Sequence, residues 1–375
     1  MPIDHPRVRD WGLATGTGSP GTRNAITDVA GVRVGHTTII SGDGPLVAGH
    51  GPVRTGVTVI LPHGDDLFRH KVGAAVHTIN GHGKTFGFEQ VRELGLIEAP
   101  IALTNTLNVG LVADALIEHA IGNNTAIGVS TTSVNVLVGE TNDGYLNDLQ
   151  GRHVRAEHVW SAIEAASPGE VAEGVVGAGT GTSCFGWKGG IGTASRVISP
   201  DAGQFTIGAL VQTNFGRPEH LTIAGVPVGR RLRPPGQEEQ QAGDDGSVMI
   251  VLATDAPLSS RQLQRLCVRA AAGLARTGSV YDHGSGDFVI AFSTAYSIDH
   301  EPEAPVVARP LLIDEGGLMR RLFPAVAECV EEAVLNALWR ATRVAGRDGH
   351  TLHALPLEGL VELLGDRASW DEAGR

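Results

Sequence analysis

Gly243-Asp244-Asp245-Gly246-Ser247-Val248-Met249-Ile250-Val251-Leu252-Ala253-Thr254-Asp255 is the stretch on which the reading of this chain turns. A polar, charged, proline-containing run over residues 230–245 ends in a Gly-Ser step, and an unbroken apolar run over 248–253 follows. A short apolar run bounded by turn signals reads as a buried strand. Ser247 then has two descriptions. It begins a strand, or it is the hidden N-terminus of a second subunit, released when the chain cuts itself between Gly246 and Ser247. The chemistry of the second is sound. A serine hydroxyl needs a base to take its proton, and an N-terminal serine carries one in its own α-amine, whose reference pKa is about 7.7–8.0. Gly246 has no Cβ to obstruct attack on its carbonyl, and the linker upstream would let the new termini separate. Gly-Ser pairs are also ordinary turn signals, so the step alone leaves both descriptions open.

Working outward, the downstream part carries a helix with a capping box at Ser259 and Gln262 and a face of Leu263, Leu266, Cys267, Ala270 and Leu274. A strand is predicted over 288–293 after the turn Asp282-His283-Gly284-Ser285-Gly286-Asp287, and Pro324 is read as the opening of a long helix. Upstream, strands are predicted over 31–36, 56–61, 73–79, 101–103, 134–138, 205–213 and 222–228. Helices are predicted over 89–96, 108–121 and 153–166, and a glycine-rich loop over 174–192. Residues 229–245 have linker composition, with a Glu/Gln tract at 237–241. Strands and helices mix without regular βαβ alternation, which favours helices layered on sheets over a doubly wound parallel sheet.

Composition narrows the function. A chain of 375 residues with 42% apolar and 19% charged residues is an ordinary globular protein with a sizeable core. A net charge of −12 argues against a non-specific nucleic-acid binder. The charged, proline-containing start lacks the apolar core of a signal peptide, and no apolar run approaches membrane-span length, so a cytoplasmic protein with no membrane partner is expected. Three separated cysteines make neither a thiolate zinc site nor a disulfide framework, and no HExxH is present. No metal or cofactor is expected. Asn80-Gly81-His82-Gly83-Lys84-Thr85 has the Gly-Lys-Thr of a phosphate loop but lacks its first glycine, where Thr78 stands. Gly177-Ala178-Gly179-Thr180-Gly181 fails the dinucleotide spacing and is read as a structural or substrate-lining loop.

Several segments resemble the DmpA/BapA family of N-terminal-nucleophile-like aminopeptidases, which comprises L-aminopeptidase/D-esterase and β-peptidyl aminopeptidase. They are the run from Asn24 through Asp28-Val29-Ala30-Gly31 to His36, Thr104-Asn105-Thr106-Leu107-Asn108-Val109-Gly110, and Gly139-Glu140-Thr141-Asn142-Asp143-Gly144-Tyr145-Leu146-Asn147-Asp148. Val211-Gln212-Thr213-Asn214-Phe215-Gly216, Asp245-Gly246-Ser247 and His283-Gly284-Ser285-Gly286-Asp287 complete the set, in order along nearly the whole chain. The resemblance implies an α+β, four-layer αββα sandwich forming a single catalytic domain. It implies self-cleavage at Gly246-Ser247 into an α chain (1–246) and a β chain (247–375), and a homotetramer of processed αβ units. It implies a serine aminopeptidase, amidase or esterase acting on small peptide, amide or ester substrates through an acyl-enzyme. By motif match Ser247 is the nucleophile and Asn214 an oxyanion donor. Ser285 and Asp287 are the supporting hydroxyl and carboxylate, and Glu140 receives the substrate's free ammonium. One departure stands out: some members carry a tyrosine two residues after the Glu140 equivalent, where this chain has Asn142. Three other readings stay open: a preference for β-peptidyl substrates, a non-catalytic amine-binding protein, and acyl transfer as in the ornithine acetyltransferases of related fold, which use threonine where this chain has Ser247.

Overall fold

In the computed structural model, which describes residues 5–199, 203–236 and 246–365, the chain forms two facing mixed sheets with helices on both outer surfaces. The first half supplies β1 (Arg33–Ser41), β2 (Val53–Leu61), β3 (His70–Gly81), β4 (Thr85–Phe86), α1 (Phe88–Leu94), β5 (Leu96–Ile97), β6 (Ile101–Asn105), α2 (Val109–Asn123), β7 (Leu137–Thr141) and α3 (Ala156–Glu164). The hairpin β8 (Ser183–Cys184) and β9 (Trp187–Lys188) leads to β10 (Ile191–Ile198) and β11 (Phe205–Asn214). The remainder is β12 (Ser247–Thr254), α4 (Ser260–Arg276), β13 (Gly286–Asp299), α5 (Arg320–Trp339), the pair β14 (Val344–Ala345) and β15 (Thr351–Leu352), and α6 (Leu357–Leu364). One sheet has the order β1-β2-β6-β7-β4 and the other β10-β11-β12-β13-β3-β5.

The apolar run of β12 explains the layering. Its side chains alternate between faces. Val248, Ile250 and Leu252 pack with Leu263, Leu266, Val326 and Val330 of α4 and α5. Met249, Val251 and Ala253 join Ile60, Leu103 and Leu137 of the opposite sheet. A third cluster seals the other outer face, with Val57, Val59, Ala102 and Val138 under Val112, Leu116 and Val159 of α2 and α3. Three apolar layers therefore separate four structural layers, and β12 is apolar from Val248 to Ala253 because both its faces are covered. Gly139 permits the sheets to close here: a Cβ on it would run into the Met249 side chain.

Most pairings are antiparallel, with one parallel pair in each sheet, β6–β7 and β12–β13. Each parallel pair is bridged by a helix, α2 and α4 respectively, as parallel neighbours require. The N-terminal ends of β12 and β13 thus lie over the C-terminal ends of β6 and β7, and the motif residues collect at this edge.

Several expected elements moved. No strand spans 222–228: Ile223 and Val226 bond to each other across a two-residue turn, with Ala224 at φ 49° and Gly225 at φ 76°. Two consecutive positive φ values reverse the chain where a strand would have continued it. The strand expected over 134–138 is β7, three residues later, so Glu140 lies within a strand. Pro324 lies inside α5 rather than at its start, because a π-helical turn, Glu315–Met319, and the first turn of α5 precede it. The helix expected over 153–166 is shorter, Ala156–Glu164, and that over 89–96 ends at Gly95, in the left-handed conformation with φ 67°. Ser259 caps α4 as expected, accepting from the Gln262 backbone N–H while Gln262 Oε1 accepts from the Ser259 N–H at 2.9 Å. The glycine-rich segment folds as a short 3-10 turn, Gly177–Gly179, packed on β2, then the β8–β9 hairpin. The Glu/Gln tract lies outside the described residues.

Candidate active site

Ser247 opens β12 and is 3% exposed. In the ladders it stands opposite Asn214 on the antiparallel side and Gly286 on the parallel side. Its Oγ accepts the backbone N–H of Asn142 at 3.1 Å, from just beyond β7 in the facing sheet. The Gly246 carbonyl, one peptide upstream, accepts the Gly286 N–H at 3.0 Å. The Ser247 hydroxyl oxygen and the neighbouring Gly246 carbonyl are therefore each held by a backbone donor, one from each sheet.

Asn214, the last residue of β11, is oriented by the β8–β9 hairpin. Its Oδ1 accepts the Ser183 N–H at 3.1 Å and the Ser183 hydroxyl at 3.3 Å. With the acceptor end engaged, the Nδ2 hydrogens are the part of the amide left to donate to another group. Among the described residues they have no hydrogen-bond acceptor.

Ser285 precedes β13 and donates its hydroxyl to Asp287 Oδ1 at 2.6 Å. Asp287 is buried, and its Oδ2 has no partner among the described residues. Burial pushes its carboxyl up to about 6, opposed by the Ser285 hydrogen bond. Asn80, at the end of β3, holds this turn: its Nδ2 donates to the carbonyls of Asp282 at 3.0 Å and His283 at 3.2 Å, and also to that of Ser285. The β13–β3 ladder slips between Asp287 and Phe288, a bulge of the kind that re-aims side chains beside sites.

Glu140, on β7, is 2% exposed. One carboxylate oxygen accepts the Lys84 N–H at 2.9 Å and the other accepts the Thr106 hydroxyl. The segment resembling a phosphate loop thus turns its backbone toward this carboxylate. No cation among the described residues pairs with it. The Tyr145 ring stacks on His350, 4.5 Å between centroids, in a cluster with Leu146 and Leu352.

Neighbouring buried charges complete the electrostatics. Asp143, which accepts from Thr55 and Asn147, is pushed up to about 7 by burial. Lys188 is pulled down to about 7 by burial, against the fields of Cys184 and Asp143. No group of three or more His, Cys, Asp or Glu among the described residues could hold a metal ion. His153 pairs with Asp148 at 2.9 Å, and the three cysteines are buried and unpaired.

The structure thus brings Ser247, Asn214, Ser285 and Asp287 to one sheet end, with Glu140 on the facing sheet. Sequence reasoning missed Asn80, Ser183, Thr106, the backbone donors of Asn142 and Gly286, and Lys188. A backbone N–H has no side-chain signature, and the hydroxyl and amide side chains have no spacing that marks them.

The arrangement is chemically suited to acyl transfer from a carbonyl to a serine oxygen. Comparison with known proteins agrees. The model of Peptidase family S58 matches residues 24–352. Over 371 residues the chain is 43% identical to the β-peptidyl aminopeptidase BapA of Sphingosinicella microcystinivorans, covering 96% of this chain and 92% of that one. A solved structure from Pyrococcus horikoshii OT3 is 48% identical and superposes with a TM-score of 0.90, over 96% of this chain and 98% of that one. The L-aminopeptidase D-Ala-esterase/amidase of Ochrobactrum anthropi, described as a prototype for the serine aminopeptidases and a new variant of the N-terminal-nucleophile hydrolase fold, superposes with a TM-score of 0.87. It is 39% identical over 96% of this chain and 98% of that one. A family match over most of the chain, carried by the same fold at this identity, means that the chain belongs to Peptidase family S58 and is a serine aminopeptidase of the N-terminal-nucleophile hydrolase type.

Proposed function

We propose that this aminopeptidase makes its own active site by cutting between Gly246 and Ser247, and that it then releases small N-terminal residues from peptides, amides or esters. One observation carries the proposal. The Ser247 Oγ receives a donor from Asn142, while the adjacent Gly246 carbonyl receives one from Gly286. In the self-cleavage the Oγ–carbon bond forms and the Gly246–Ser247 C–N bond breaks, with the hydroxyl proton passing to the Ser247 nitrogen. Water hydrolyses the resulting ester, leaving a Gly246 carboxylate, a free Ser247 hydroxyl and a free α-amine.

The α-amine then acts as base for the hydroxyl beside it. Glu140 takes the substrate's ammonium, which positions the first residue's carbonyl at Ser247. Asn214 Nδ2 donates to the oxygen as it gains charge, a contribution of about 10²–10³ in rate for one such donor. The Ser285–Asp287 pair supports the protonated amine. Loss of the amine or alcohol leaves an acyl-enzyme, which water resolves.

The test is direct. The purified protein should run as two chains, the smaller beginning at Ser247, and Ser247→Ala should remain one uncut, inactive chain. A wild-type chain that stays intact yet hydrolyses amides would overturn the reading, and a folded, inert wild type would favour an amine-binding role. Acetyl exchange between amino acids would reveal acyl transfer. The relatives' names include both a β-peptidyl and an L-amino-acid aminopeptidase, and p-nitroanilides of α-alanine, D-alanine and β-homo residues separate these preferences. The resemblance also supports a homotetramer, which light scattering of the processed protein checks.

A further inference from the structure

Lys188 has no exposed surface and forms no ion pair among the described residues. Its Nζ donates to three carbonyls, Thr182 at 2.7 Å, Gly179 at 2.9 Å and Gly189 at 2.9 Å. Three acceptors match the three N–H bonds of an ammonium and leave no place for a lone pair. A buried cation without a bonded carboxylate is costly to keep, so its placement calls for a reason.

The Thr182 carbonyl and the Ser183 N–H belong to the same peptide group. On one side that group accepts from the Lys188 ammonium, and on the other it donates to Asn214 Oδ1 at 3.1 Å. The series runs from ammonium to carbonyl, from N–H to Oδ1, and ends at the Nδ2 hydrogens of Asn214. Hydrogen bonds in series polarise one another, most strongly where water is excluded. When the amine is protonated, the positive charge at one end draws electron density from both amides and makes the Nδ2–H bonds stronger donors. The other two contacts tie the ends of the β8–β9 segment, in which Ser183 pairs with Lys188, so the same ammonium also fixes where Asn214 points.

We propose that Lys188 is a positioning residue for the reaction, relaying its charge through the 182–183 peptide and Asn214 to the oxyanion. The proposal rests on the oxyanion role given to Asn214 above. Because the oxygen is charged only in the transition state, the relay raises kcat and leaves KM nearly alone.

A double-mutant cycle tests it, with Lys188→Met and Asn214→Ala made singly and together and turnover measured per cleaved chain. For variants that cleave only slowly or in part, the cycle is read on the self-cleavage rate of the precursor. Asn214→Ala should lose about 10²–10³ in kcat, and Lys188→Met about tenfold. In the Asn214→Ala background the lysine change should cost nothing further. Lys188→Gln, which keeps two N–H donors for the loop but no charge, should fall with Lys188→Met. Full turnover in Asn214→Ala would remove the oxyanion reading itself. An Asn214→Ala loss that leaves the Lys188→Met effect undiminished would overturn the relay alone, as would wild-type turnover in Lys188→Gln. If circular dichroism shows that no lysine variant folds, Lys188 serves the fold and the proposal falls with that result.

Discussion

Replacing Glu140 by glutamine separates binding of the substrate's amine from every other step. The carboxylate is buried, with one oxygen on the Lys84 N–H and the other on the Thr106 hydroxyl. Glutamine satisfies both partners: its Oε1 keeps the Lys84 N–H, and its NH2 donates to Thr106 Oγ1 once that hydroxyl rotates. The fold should therefore lose at most about 1.5 kcal/mol. In the proposed mechanism the substrate's ammonium then loses its countercharge, an attraction of about 4 kcal/mol at 4 Å and an effective dielectric of 20. Part of that returns because a neutral site costs less to desolvate, so kcat/KM for a free-amine p-nitroanilide should fall by about 10²–10³. Self-cleavage involves no free ammonium and should proceed at close to the wild-type rate. The assay pairs steady-state kinetics with mass spectrometry of the processing time course. Fully processed Glu140→Gln protein with wild-type kcat/KM would refute the assignment, whereas a failure to process would show that Glu140 supports the nucleophile instead.

Two further predictions follow from the same geometry. A Cβ on Gly246 would lie 3.0 Å from Ser285 Oγ, so Gly246→Ala should slow self-cleavage at least severalfold while leaving the fold intact, as followed on denaturing gels. The Asp287 carboxyl is raised to about 6, so the folded state holds its proton more tightly than the unfolded chain, where the value is 3.8. Its stabilising contribution is therefore present below about pH 4 and is lost as pH rises through 6. In uncut Ser247→Ala protein, adding Asp287→Asn should raise stability at pH 7 relative to pH 4, by about 2–3 kcal/mol on comparison of urea melts. No pH-dependent difference between the two proteins would refute the burial argument.

Where apolar pattern and tertiary environment agree, the elements were legible. The run 248–253 is β12 because both faces are covered, and the Ser259–Gln262 box starts α4 because capping is a local matter. β7 was read three residues early because its apolar signal stops at Val138. Its pairing with β6 continues through Glu140 and Thr141, polar residues set at the strand end. The strand expected over 222–228 failed on Ala224, whose positive φ lets a tight turn form where apolar neighbours suggested extension.

The apolar run behind the Gly-Ser step determined by itself that a buried strand begins there, and the ordered motifs determined the family. Only the tertiary structure decided which groups meet there. It sets the Asn142 N–H on Ser247 from the facing sheet, the Gly286 N–H on the Gly246 carbonyl, and the Lys188 amine behind the peptide that orients Asn214. Those partners are distant in sequence, and several act through backbone atoms that every residue carries. Their roles arise from sheet register and packing, which no local pattern of side chains records.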